Sequence, residues 1–403
     1  MKALEFNNYT WPVTFLLFSS IFLQRIAITV GSNQIPLILV LTLLSLLIIL
    51  LSNRESGIFV VRITLFFSFL LLTTLFMLNK EYSAFSYFYL IALYVPFLFY
   101  FNFLNEIKIN LIQRFLTFIL ITSFIGIFQF VFQLIGGSFI DPLAYLSSSY
   151  TQQGYLSTYQ ISYDSNIMKS NGIFYLEPSL FSQFLAIGIV IEISLFKRWW
   201  RIIIYLLALM VTFSGTGILL LVAATIPILF KLKLKNMLLF LILGAIIFGL
   251  FASSEFGQYT LSRTQEYKSP NSSFSTRFIN PYKVSIDSEP KDLLFGHGPG
   301  QADRTEFIYP VNFSVLPKLL YEYGLIPSIL FVLFLGHIFL YRGNVISYSL
   351  LIMYLFLSGG LLQPQTVCLM LFLLPLVLKI DFDFNLKQVT SPKKNLKKIR
   401  QMV

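Results

Sequence analysis

KRWWRIIIYLLALMVTFSGTGILLLVAATIPILFKLKLK, residues Lys197–Lys235, decides how this chain is threaded. Two apolar runs, Ile202–Phe213 and Ile218–Phe230, flank Ser214-Gly215-Thr216-Gly217. Each run is shorter than the about 20 apolar residues that cross a hydrocarbon core as a helix. The stretch therefore reads either as one kinked span or as a tight pair, and the choice inverts the topology of everything after it. Basic clusters bound it on both sides. Short cytoplasmic connections carry the excess of Lys and Arg in membrane proteins, so both clusters belong on one face. A pair satisfies that, and a single kinked span does not.

Outward from this stretch the chain is apolar almost throughout. Of its 403 residues 56% are hydrophobic and only 12% are charged, with a mean hydropathy of +0.77. Soluble domains carry roughly 25% charged residues. The apolar runs are continuous rather than alternating, which selects helices over a closed barrel among the two structures that satisfy their backbone in lipid. The expected fold is an all-α polytopic membrane protein of about twelve spans. They are Trp11–Val30, Ile35–Leu51, Phe59–Leu78, Ser86–Phe103, Phe115–Ile135, Ile173–Phe196, the tight pair, Asn236–Phe251, Leu325–Tyr341, Val345–Leu361 and Val367–Ile380. Arg25 falls inside the first of them. Twelve spans place both termini and most of the 29 basic residues in the cytoplasm. The net charge of +11 is then an anchoring charge and not a nucleic-acid footprint. The basic tail, residues 381–403, suits anionic lipid headgroups.

Two longer polar segments fall on the outer face, residues 136–171 and 252–312. The first is rich in Ser, Tyr and Gln, side chains that stack on and hydrogen-bond to sugars and that also populate interfacial belts. The second holds SSFSTRFINPY (Ser272–Tyr282) and LFGHGPG (Leu294–Gly300). The glycine cluster is no P-loop, since no Gly-Lys-Ser/Thr follows it; a tight turn is the plainer reading. A lone Cys368 permits no disulfide within the chain and no zinc cluster, and His297 and His337 are too far apart in sequence to suggest a metal pair. No metal and no cofactor is expected.

Glu177 stands out in GIFYLEPSLFSQF, with Pro178 suited to a first helical turn. A carboxylate there is stabilised by the helix dipole, and it can also serve as a general base or orient an acceptor hydroxyl. Arg277, among small hydroxyls and aromatics, is the candidate for phosphate oxygens, which a guanidinium fork binds in bidentate fashion. Lys318 and Glu322 sit at i,i+4 on an amphipathic stretch and can pair. Gln363-Pro364-Gln365 joins the last two spans on the same outer side. Candidate substrate-binding residues are Lys169, Tyr282, His297, Gly298, Arg304, Asn312, Lys318 and Gln363.

Four motifs in this order, GIFYLEPSLFSQF, FSGTGILLLV, SSFSTRF and LLFGHGPG with LLYEYGLIP after it, give the chain a resemblance to Wzy-type bacterial polysaccharide repeat-unit polymerases, within the O-antigen polymerase and ligase group. The likeness covers roughly Lys169 to Leu325. It implies a metal-independent glycosyltransferase of the bacterial inner membrane, joining oligosaccharides carried on undecaprenyl pyrophosphate, with a chain-length regulator protein as a possible partner. It implies further that Arg277 contacts the pyrophosphate, that Glu177 is the carboxylate of the Glu-Pro motif, and that Lys169 is the basic residue just upstream. Ligases of the group place a histidine before the last-loop helix, where this chain reads YPVNFSVLPK. A ligase and a flippase or other transporter are the alternatives. Sparse intramembrane charge argues against the transporter.

Overall fold

The computed structural model describes residues 10–30, 33–52, 56–78, 80–161, 165–229, 249, 253, 272, 274–357 and 360–378. Of the expected span Asn236–Phe251 only Gly249 is among them, and the basic tail lies outside the described residues.

Of the described residues 68% are helical, and strands are few. In order come α1 (Thr10–Phe22), the hairpin β1–β2 (Ala27–Val30, Asn33–Pro36), α2 (Leu37–Ser52), β3 (Gly57–Ile58), α3 (Val60–Met77), α4 (Ala84–Tyr94), β4 (Phe99–Tyr100) and α5 (Asn105–Leu134). After a long irregular segment follow α6 (Pro178–Ile191), which continues as a π-turn to Phe196, then α7 (Trp199–Val211) and α8 (Gly215–Leu229). The remainder is α9 (Asn280–Ile286), α10 (Pro290–Phe295), α11 (Val315–Tyr323), α12 (Leu325–Leu340), α13 (Val345–Ile352) and α14 (Pro364–Val377). Among the described residues three helices are long and apolar enough to cross a membrane: Val60–Met77, Asn105–Leu134 and Pro178–Phe196. The other apolar helices are shorter.

The described part of the stretch Lys197–Lys235, residues 197–229, resolves into two helices. The break falls at Thr212–Ser214, where Phe213 takes a left-handed φ of 47°. Both helices pack on α6, which is apolar all round and buried along its length, as a central helix must be. α14 is buried in the same way. Around these two, α1 packs on α2, α5 and α14, and α3 packs on α12. The outer helices turn apolar side chains outward too, among them Leu71, Phe88, Phe128 and Ile203.

Several expected boundaries move. The first run does not continue to Val30: α1 ends at Phe22, and Ala27–Val30 pairs antiparallel with Asn33–Pro36, Ala27 opposite Pro36. Arg25 lies in the turn between α1 and β1. Its guanidinium meets the Asp141 carboxylate at 2.6 Å. The fourth run is cut short because Pro96 has no N–H to continue α4, so a 3₁₀ turn and β4 follow. The fifth helix begins ten residues early, at Asn105. Lys108 and Arg114 therefore lie on it rather than in a connection. The sixth helix starts at Pro178; Ile173 before it has φ 67° and is not helical.

Candidate functional site

Glu177 is the N-cap residue of α6, with Pro178 at the first helical position. Its side chain makes no capping bond to the helix. It turns instead to accept a hydrogen bond from Ser179 Oγ at 2.8 Å, and it stands 3.9 Å from Arg277 Nη2. Arg277 sits on a π-turn, Ser275–Ile279, that opens α9. Such turns are rare and recur at functional sites. At 3.9 Å the pair is electrostatic rather than hydrogen-bonded. The guanidinium therefore does not spend its donors on this carboxylate. Neither group is sealed: their side chains are 29% and 18% exposed.

Both residues line a cavity of about 460 Å³. Its wall is unusually rich in amides and hydroxyls for so apolar a chain: Gln34, Gln152, Gln153, Gln183, Asn312 and Gln363, with Tyr89, Tyr155, Ser179 and Thr216. Asp303 is the third charged group at the wall.

Three devices hold this wall. The first is the FSGTG motif. Gly217 N–H donates to Ser182 Oγ at 3.1 Å, Thr216 Oγ1 donates to the Ser179 carbonyl at 3.2 Å, and Ser182, Ser214 and Thr216 share a hydroxyl cluster. A Cβ on Gly217 would lie 2.6 Å from the Ser182 carbonyl oxygen, so only glycine lets the start of α8 approach α6 this closely. The motif thereby fixes the turn that carries Glu177 and Ser179. The second device stitches the first outer segment to the helices. Gln365 Nε2 donates to the Gln24 carbonyl and to Gln152 Oε1, and Gln153 N–H donates to Gln34 Oε1. Tyr155 is hydrogen-bonded to Gln363, and burial, reinforced by the Glu177 charge, pushes its phenol up to about 12.

The third device is a buried relay behind Asp303. Lys318 Nζ donates to Asp303 Oδ2 at 2.6 Å and lies 3.7 Å from Glu322. Glu322 Oε1 accepts the Ala302 N–H at 3.3 Å, while its Oε2 has no hydrogen-bond partner. Burial pushes Glu322 up to about 7, against the pull of Lys318. Burial works to neutralise Lys318 too, but the two carboxylates outweigh it and raise its pKa. The i,i+4 pairing of Lys318 with Glu322 is present, yet the closer partner is Asp303, which no helical spacing announces.

Of the ten residues singled out from sequence, four meet at this cavity: Glu177, Arg277, Asn312 and Gln363. Lys318 reaches it only through Asp303. The other five are placed elsewhere. Lys169 lies over the Tyr159 ring at 5.8 Å. Tyr282 is half-buried on α9, and Arg304 is exposed. His297 stacks on Tyr321 with ring centroids 4.1 Å apart, its Nδ1 beside the Tyr321 carbonyl. Gly298 N–H donates to the Glu322 carbonyl at 2.8 Å, and a Cβ there would meet the Glu81 carbonyl oxygen. The glycine cluster is thus a close backbone junction between α11 and the Glu81–Ser83 loop.

Sequence reading missed Asp303, Ser179, Gln183 and Gln34, whereas Gln152, Gln153 and Tyr155 come from the Ser-, Tyr- and Gln-rich outer segment whose side chains suit sugars. Gln34 beside an apolar run and Gln183 within one were the available signal. Among the described residues, no group of three or more His, Cys, Asp or Glu is placed to hold a metal ion. The constellation offers a carboxylate able to take a proton from a hydroxyl, a guanidinium for an anion, and a neutral hydrogen-bonding wall of the kind sugars need. Compared with known proteins, the chain matches no family model and no curated protein sequence.

Proposed function

We propose that this chain is a membrane glycosyltransferase that joins oligosaccharide repeat units carried on undecaprenyl pyrophosphate into a longer polysaccharide. In this reading it crosses the bacterial inner membrane about twelve times, with both termini in the cytoplasm and the cavity toward the outer face. A chain-length regulator protein is the partner such a reaction calls for.

The observation that carries the reading is the meeting of Glu177 and Arg277 in one polar cavity of an apolar chain. The two stand in two of the four motifs on which the polymerase resemblance rests. The chemistry follows from their types. Arg277 binds the diphosphate of the donor and neutralises charge as it leaves. Glu177 takes the proton from an acceptor hydroxyl. The bond from acceptor oxygen to C1 forms as the bond from C1 to the phosphate oxygen breaks. The electron pair leaves on the diphosphate, and C1 is inverted. Ser179, which donates to Glu177, orients the carboxylate, and the amide wall binds the sugars on either side of the scissile bond.

The test uses purified protein in lipid with a lipid-linked repeat unit and no other enzyme, with products resolved by size. A ladder spaced by one repeat unit is expected from the wild type. Arg277→Ala and Glu177→Gln are expected to abolish it while the protein stays in the membrane. Normal-length polymer from either variant removes that residue from the mechanism. No ladder from the wild type, together with transfer to an added acceptor, replaces the polymerase by a ligase; movement of the lipid between leaflets replaces it by a transporter.

A further inference from the structure

A second cavity, of about 140 Å³, lies at the opposite end of the bundle. α14 runs between the two: Gln363 before it lines the first, and Leu378 after it lines the second. Leu371 and Leu374 on its last turns line the second as well, so eight residues from Gln363 to Leu371, about 12 Å at the helical rise, separate the two linings. The walls of the second cavity are aromatic and aliphatic, and it gathers Arg62, Lys108 and Arg342. None of the described lining residues is a carboxylate.

Arg62 is 6% exposed, on the first turn of α3. Its contacts are with neutral groups: Nη1 donates to the Phe97 carbonyl at 2.9 Å, Nε donates to His337 Nδ1 at 3.2 Å, and the guanidinium sits 4.0 Å from the Phe59 ring centre. Lys108 is 3% exposed and donates to the Leu378 carbonyl. Arg342 follows α12 in a left-handed conformation, with its guanidinium 5.4 Å from the Tyr341 ring centre. Holding a guanidinium away from water with only neutral partners is costly, and a phosphate anion offsets that cost with charge-assisted hydrogen bonds. Basic pockets between helices on the cytoplasmic side are where anionic headgroups bind.

We propose that this cavity binds the phosphate of an anionic membrane phospholipid. Arg62 and Arg342 hold the diester, Lys108 adds to the positive field, and Phe99, Ile338 and Leu374 receive the start of the acyl chains. The proposal rests on the bilayer placement above and not on the transferase chemistry.

The experiment takes the full chain extracted in a neutral detergent. It is titrated with phosphatidylglycerol, phosphatidylcholine and inorganic phosphate, and read by native mass spectrometry and by thermal unfolding. Expected are one retained phosphatidylglycerol and a raised unfolding temperature, with neither from phosphatidylcholine. Arg342→Gln and Lys108→Gln are each expected to weaken retention about fivefold, the contribution of one basic side chain near an anionic lipid. Equal retention of phosphatidylcholine, or unchanged retention in Arg342→Gln, overturns the site. An equal effect of inorganic phosphate overturns the lipid as its source. A chain recovered from the soluble fraction overturns the bilayer placement itself, whereas a membrane-extracted chain that retains no phosphatidylglycerol overturns the lipid site alone.

Discussion

Asp141→Asn removes the counter-charge of Arg25 without removing its volume. Arg25 Nη1 lies 2.6 Å from Asp141 Oδ1 and also donates to the Ile173 carbonyl at 2.9 Å; Nη2 donates to Ser157 Oγ at 3.3 Å. The two ionised side chains are only 9% and 5% exposed. Breaking a buried pair by removing one partner costs about 3–5 kcal/mol, because the other charge stays buried and uncompensated. For a domain of a few hundred residues that lowers the unfolding temperature by on the order of 10 °C. Replacing both partners, as in Arg25→Met with Asp141→Leu, leaves no stranded charge and costs less than either single change. The assay is thermal unfolding of the four proteins in one detergent, followed by intrinsic fluorescence. Losses that simply add in the double variant refute the reasoning. A second readout separates positioning from mere stability. Ile173 lies four residues before Glu177, so Asp141→Asn is expected to slow chain growth even at temperatures where the variant is folded.

Glu322 holds its proton to about pH 7 in the folded chain against an ordinary value of 4.5. The folded state therefore binds more protons than the unfolded one between those values, and stability falls as pH rises through that window, by on the order of 3 kcal/mol. Groups facing Glu322 are Lys318, Asp303 and Tyr323 with the Gly300 and Ala302 amides; Glu322→Gln is expected to flatten the pH slope of the unfolding temperature there, and an unchanged slope refutes the assignment. Gly217→Ala places a methyl group 2.6 Å from the Ser182 carbonyl oxygen and from a Leu209 methyl, an overpacking of about 1–3 kcal/mol; a variant as stable and active as wild type shows that α8 is free to shift. Arg277→Lys keeps the charge but loses the planar fork, and at least a tenfold slower ladder is expected; a wild-type rate means that charge alone is needed.

The helical class, the membrane-like composition and the positions of most helices were legible in hydropathy, because burial in an apolar surrounding is a property that each run of residues carries by itself. The break at Ser214–Gly217 was legible as a choice between two arrangements, and the charge clusters on either side favoured the pair that α7 and α8 form. The missed features have a common origin. Arg25, just past α1, is paired with a carboxylate 116 residues away, and Asp303 is tied to Lys318 from another segment. A hydropathy window sees neither. For glycines 296, 298 and 300 a tight turn was the plainer reading, but a glycine-rich string has the same composition whether its backbone approaches a phosphate or another stretch of chain; here Gly298 meets α11 and the Glu81 carbonyl.

The sequence by itself determined that this protein is a helical, apolar chain with little aqueous chemistry to offer, and it picked out Glu177, since an ionisable residue among apolar neighbours is conspicuous in one dimension, and Arg277, a guanidinium among hydroxyls in the longest polar segment. Only the tertiary structure decided that these two share a cavity, that glutamines from four separate segments form its wall, and that Asp303 backed by Lys318 and Glu322 stands beside them. Apolar patterning acts on neighbouring residues and can be read along the chain. Pairing of charges and amides acts between residues distant in sequence, and it exists only once the helices have packed.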